Sequence, residues 1–279
     1  MQLLFIIYFF ASNLLLAKGA SFKELPDEIK RDIPLLMVDR QSDTPDSYMI
    51  TEKIVGAILP TKIYHLTLEG LIESEADFMG EPSESHNTVV EPPLISVAGQ
   101  WVHGDSADDR SANILGGFGT LEIENDLLVI PAAQTNSDTL AYYGARLLDL
   151  GDEIVFDTSK ALPICTMSIG ENYRENYLLK EKLGGGFYLE YHDMPHFHMP
   201  LNDQARGYLI LGKKADDGSY QLSAFNIPFG KAIYTPGNII HDDALLIGKY
   251  QVVYSVTENF STVVVKGPEG RLAKVKVIE

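Results

Sequence analysis

Phe187-Tyr188-Leu189-Glu190-Tyr191, followed directly by His192-Asp193-Met194-Pro195-His196-Phe197-His198, is the stretch whose reading decides the fold. The first five residues are aromatic and apolar, are opened by Gly184-Gly185-Gly186, and read as a short strand. In the histidine segment, alternate side chains of an extended backbone share a face, so His196 and His198 project together from one side of a sheet. Two imidazoles on one face can chelate a divalent metal. A third, His241 in Pro236-Gly237-Asn238-Ile239-Ile240-His241, completes a three-histidine set with open positions if a neighbouring strand carries it in. The same residues also fit a histidine-bearing surface turn that meets an unrelated histidine.

From Gly184 onward the pattern is uniform. Short apolar, β-branched runs over 205–213, 220–227, 230–235, 244–248, 250–257, 261–266 and 272–278 are punctuated by turn residues. Ala215-Asp216-Asp217-Gly218 is a strong hairpin signal, and Pro268-Glu269-Gly270-Arg271 marks a final turn. Many short strands at this spacing predict a mainly β protein, an antiparallel sandwich or barrel.

Upstream, residues 1–19 form an apolar run ending in small residues, the pattern of a cleaved export signal. Residues 20–47 read as a charged, proline-punctuated arm with a short helix over 26–31. Residues 48–170 are expected to be strand-rich and packed on the second half, as extra strands or as a degenerate second barrel. Within them, 54–59 and 63–68 suggest a strand pair, 69–93 an acidic surface loop containing His86, and 138–150 a helix capped by Asn136 or Ser137. Gly116-Gly117-Phe118-Gly119 lacks the Lys-Ser/Thr and helix of a phosphate loop and reads as a tight turn. His103 and Asp105 resemble ligands only superficially, and His65 reads as a bystander. Cys165, in Pro163-Ile164-Cys165-Thr166-Met167, is the single cysteine and so rules out an internal disulfide; its apolar setting reads as core. Asn259-Phe260-Ser261 fits a glycosylation acceptor.

Composition narrows the partners. The chain has 279 residues, 45% of them hydrophobic, enough for a buried core. Its 39 acidic and 22 basic side chains give a formal charge of -17. That excludes nucleic acid and anionic membrane surfaces as main partners, because both demand a basic patch. After residue 19 no run is long and apolar enough to span a bilayer.

Gly230-x5-Pro236-x-Asn238-x2-His241 resembles the second signature of the cupin superfamily, and His196-x-His198 resembles its first, one hairpin upstream. The resemblance spans roughly residues 184–266. It implies a cupin-like jelly-roll β-barrel over 171–279, with a metal held by the two histidines of the first motif, an acidic residue after them and the histidine of the second. Carried across, the metal ligands are His196, His198 and His241, with Asp203 or Gln204 in the acidic position. Strand parity through Leu211 turns Asp203 inward with Ala205, Gly207 and Leu209, which makes Asp203 the expected fourth ligand. A three-histidine site is the alternative. Two family glycines are replaced, by Glu190 and by Asn238; Asn tolerates the left-handed backbone of a turn. His192 is expected in the turn ahead of His196, as a supporting or an exposed group. Asp242 and Asp243 are candidates to orient His241.

Three classes of function follow. The first is an exported metal-dependent enzyme using Fe, Mn, Ni or Zn on a small organic acid or sugar, by oxygenase or isomerase/lyase chemistry. The second is a cupin-like protein that binds a small molecule without turnover, and the third is an exported structural protein with incidental histidines. Members of the resembled family are often dimers, which makes a homodimer an expectation.

Overall fold

A computed structural model describes residues 25–77, 88–103 and 119–279 of the chain. The expected export signal at 1–19, His86, Asp105 and Gly116-Gly117-Phe118 lie outside the described residues.

The arm supplies α1 (Asp27–Leu36) and β1 (Asp39–Gln41). Then come β2 (Tyr48–Ile58), β3 (Lys62–Thr67), β4 (Gly70–Asp77), β5 (Ile95–Val97), β6 (Gly99–Val102), β7 (Gly119–Ile123) and β8 (Leu127–Ala133). The middle closes with α2 (Ser137–Ala141), β9 (Arg146–Asp149), β10 (Glu153–Val155) and β11 (Leu162–Ile169). The histidine region forms β12 (Tyr188–His192), β13 (His196–Pro200), β14 (Arg206–Lys214), β15 (Tyr220–Phe225), β16 (Lys231–Thr235), β17 (Ile240–Val253), β18 (Phe260–Lys266) and β19 (Lys274–Ile278). The protein is mainly β, as its turn-punctuated apolar runs require.

One long strand, β17, ties the sheets together. Its first half pairs antiparallel with β14 and, at Glu190↔His241, with β12. Its second half pairs with β13 and β11, from Phe197↔Val253 and from Ile164↔Val253. The change of partners falls at Gly248, whose φ of 108° suits glycine and where a side-chain carbon would lie 2.8 Å from the Ala205 Cα. The Ala215–Ser219 turn joins β14 to β15 as the Asp-Gly signal indicates, with Gly218 at φ 85°. The strand path β19-β8-β15-β14-β17-β12-β18-β7-β6 ends on two edges, and no closed barrel forms among the described residues.

The middle third departs from expectation. The helix expected over 138–150 is only the five-residue α2: Asn136 caps it by accepting from the Thr139 amide, Gly144 turns left-handed at φ 80°, and Leu147 and Leu148 continue as β9 against β16. Leucines at helical spacing also satisfy a strand once a partner is available. The runs at 54–59 and 63–68 do not pair with each other. β2 pairs with β1 and β11, whereas β3 pairs with β4 and β10, so 70–77 is strand rather than loop. Helix α1 runs past its expected end and through Pro34, because Ile29 and Leu36 are buried on the body and this packing outweighs the lost hydrogen bond. Three pairings are parallel (β15 with β8, β18 with β7, β19 with β8), so the sheet is not purely antiparallel.

Along β13, Phe197 and Met199 pack with Leu148, Phe156 and Tyr234 in an apolar cluster, while His196 and His198 face the other way. Phe197 is completely buried, so Phe197→Ala is expected to cost about 3–5 kcal/mol of stability by urea denaturation; a loss under about 1 kcal/mol would contradict this packing.

Candidate metal centre

Strand β12 alternates Glu190 and His192 onto one face, β13 supplies His196, and β17 sets His241 directly opposite Glu190. One ligand atom from each of these four residues lies within 4.8 Å of the other three. The three imidazole rings sit with centroids 4.5, 4.6 and 4.9 Å apart. All four residues are buried, with 2–6% of their surface exposed.

The hydrogen bonds around the group leave lone pairs pointing inward. The Ile239 carbonyl can only accept, so His241 donates from Nδ1 to it at 2.8 Å. That tautomer leaves the His241 Nε2 as an acceptor; it has no hydrogen-bond partner and lies 3.6 Å from Glu190 Oε1. The other Glu190 oxygen accepts from the Thr262 hydroxyl at 3.1 Å, which fixes the carboxylate. The Nε2 atoms of His192 and His196 face each other at 2.7 Å. Two imidazoles bonded to one ion at about 2.0–2.1 Å hold their nitrogens roughly 3 Å apart, so only a few tenths of an ångström separate this pair from a chelating one.

Burial and the neighbouring imidazole of His241 hold His192 down at about 3, and burial with His192 and His241 puts His196 well below its usual value. Burial also lowers His241, but the nearby Glu190 carboxylate outweighs it and the net shift is upward. The two neutral imidazoles can offer lone pairs to a cation, whereas His241 would release its Nε2 proton on ligating one.

Beyond His196 lies a second polar cluster. The His198 ring is 5.5 Å from that of His196, but its Nε2 faces Asp243 Oδ2 at 3.3 Å. Tyr188 donates its phenol proton to the other Asp243 oxygen at 3.1 Å, and Arg40 lies 6.0 Å from the Tyr188 ring. Burial pushes the Asp243 carboxyl up, but His198 and Arg40 bring it down to about 2. Asp242 is fully buried with neither oxygen in hydrogen-bond geometry, and burial and the charge of Asp243 push its carboxyl well up.

Of the residues expected as ligands, the structure brings His196 and His241 together and leaves His198 and Asp203 outside the group. Asp203 is exposed, in the turn between β13 and β14, beside Arg206, Tyr208 and Phe229 on a surface cleft. The inward parity expected for it does not hold because β14 starts only at Arg206. Glu190 and His192 take the remaining places, and their signal in the sequence is the Glu-x-His alternation at the end of a strand. His103 is bonded to the Ser261 hydroxyl at 2.8 Å and His65 lies beside Glu153; neither joins the group. Burial pushes the Cys165 thiol up to about 12, in keeping with core packing.

Comparison adds nothing that competes with this geometry. No family model, no curated protein and no solved structure matches the chain. Among the described residues no helix is long and apolar enough to cross a membrane.

Acid stability tests the electrostatics. His192 and His196 stay neutral in the fold well below the ordinary value of 6.5, so under that pH the unfolded chain binds protons that the folded chain does not. The raised His241 and Asp242 oppose this, whereas the lowered carboxyls of Asp243, Asp193 and Glu52 add to the loss once the ordinary carboxylate range is reached. The thermal midpoint of the metal-free protein is therefore expected to fall as pH drops from 6.5 toward about 3. A flat or rising midpoint over that window would contradict it.

Proposed function

We propose that Glu190, His192, His196 and His241 hold one divalent transition-metal ion (Fe, Mn, Ni or Zn), and that the chain is an exported, cupin-type metal-dependent enzyme. Its substrate is a small organic acid or sugar, converted by oxygenase or isomerase/lyase chemistry. One observation carries the reading: four ligand atoms from three separate strands converge in a buried space with the His241 Nε2 left unpaired. An unpaired polar atom in a dry interior costs about 1–3 kcal/mol, which a bound ion recovers. The donor set of imidazoles with one carboxylate suits these borderline ions.

Charge supports the same reading. The interior holds the carboxyls of Glu190, Asp242 and Asp243 against the guanidinium of Arg40. Burial and the charge of Asp243 hold Asp242 toward its neutral form, so Glu190 and Asp243 are the carboxylates left to face a cation beside Arg40, and buried charge is costly unless balanced. Held by Glu190, His192, His196 and His241, such an ion would supply Lewis-acid or, as iron, redox chemistry. Around it, Thr262 orients Glu190, Ile239 fixes the His241 tautomer, and the buried rings of Tyr188 and Tyr254 help keep bulk water out.

The cupin resemblance supports a jelly-roll arrangement of these strands, with the carboxylate ligand placed before the first histidine motif instead of after it. The apolar run at 1–19 supports export. A second reading, a protein that binds a small molecule without turnover, is favoured by the near-complete burial of all four ligands. A tetrahedral zinc would be closed by four protein ligands and fits that reading better.

Metal analysis of the purified protein is expected to find one ion per chain, held much more weakly by His192→Ala and by His241→Ala than by the wild type and held unchanged by His198→Ala. An ion held equally by His192→Ala, or lost only in His198→Ala, would refute this ligand set. A panel of small acids and sugars, with oxygen consumption followed, separates the two functions. Turnover abolished by His241→Ala with the fold intact supports the enzyme, and a bound ion with no turnover supports the binder.

A further inference from the structure

The two adjoining histidines of the candidate metal group, His192 and His196, sit on opposite sides of a three-residue turn, Asp193-Met194-Pro195. The strands flanking this turn do not pair with each other: β12 pairs with β17 and β18, and β13 with β16 and β17. No ladder between the flanking strands therefore sets the distance between the two rings. What fixes the turn comes from outside it. Asp193 accepts from the Thr257 hydroxyl at 2.7 Å on Oδ1 and from the Asn259 amide at 2.8 Å on Oδ2, and its own backbone amide donates to the Asn259 carbonyl at 3.1 Å. Thr257 and Asn259 belong to the connection between β17 and β18. From the other side, the Asn238 amide donates to the His192 carbonyl at 2.6 Å. Gly237 lies so close to the Asp193 carbonyl that a side-chain carbon there would collide with it.

We propose that Asp193 is a positioning residue of the metal centre: by bonding both Thr257 and Asn259 it holds the turn in the shape that brings the His192 and His196 Nε2 atoms onto one ion. The proposal rests on the metal reading above and deepens it. It accounts for His192, which sequence spacing leaves in a turn, acting as a ligand. Groups that hold ligands in place typically alter metal affinity about 10–100-fold when removed.

The test uses neutral substitutions, because removing the Asp193 charge would by itself weaken the attraction for a cation. Thr257→Val with Asn259→Ala removes both side-chain donors, keeps the net charge and alters no ligand. Cobalt(II) is the probe, read by affinity and by its visible absorption spectrum, with the melting temperature of the metal-free protein recorded alongside. The double variant is expected to bind cobalt about 10–100-fold more weakly than the wild type, with an altered spectrum and a nearly unchanged metal-free melting temperature. Thr257→Ser with Asn259 intact is expected to behave as wild type. In a His192→Ala background the double substitution is expected to have no further effect on affinity. Unchanged affinity and spectrum in the double variant, or an equal additional loss in the His192→Ala background, overturns the positioning role alone. A wild-type protein that binds no cobalt overturns the metal reading itself, and the positioning role with it.

Discussion

Everything in this structure answers to the cost of burying polar groups between β strands. Glu190, His192, His196, His198, His241, Asp242, Asp243 and Arg40 all lie within the interior or at its edge, each no more than about a sixth exposed. Taking such groups out of water costs several kcal/mol per ion unless each finds a partner. The fold pairs some of them internally: Asp243 with His198 and Tyr188, and Glu190 with Thr262. The inward nitrogen of His241 it leaves unpaired. That unmet hydrogen bond, with Glu190 Oε1 only at 3.6 Å, is what would let the interior hold an ion.

The strand arrangement turns this chemistry into geometry. β17 is long enough to carry His241 in its first turnless stretch against β12 and then to pair with β13, so one strand aligns both histidine-bearing segments. Its opposite face, together with Phe197 and Met199 on β13, is held by apolar packing. The four candidate ligands stand on strands, and the turn between β12 and β13 is fastened from outside by Thr257 and Asn259, which would suit a site that holds its shape before an ion arrives.

Much of this was legible in the sequence because strand parity is strict. The shared face of His196 and His198 is real, the hairpin at Asp217-Gly218 forms, and His241 arrives on an adjacent strand. Parity alone could not say which of the two β13 imidazoles meets His241. That depends on Asp243, which takes the His198 Nε2. Asp203 would face inward only on a strand running back to it, but the chain turns over 201–204 and Gly207, at φ 88°, interrupts the alternation again. Glu190 and His192 were hidden because a residue in a predicted turn and a replaced family glycine carry no ligand signal by themselves. The 138–150 segment misled for the opposite reason: its leucines satisfy both periods, and tertiary pairing with β16 decided.

The most direct test of the central claim is the ligand shell itself, read by X-ray absorption fine structure on the metal-loaded protein. The account predicts three imidazole nitrogens and at least one carboxylate oxygen around a single ion, with one imidazole contribution lost in His192→Ala. A shell containing one or no imidazole, or one that His192→Ala leaves intact, would contradict it.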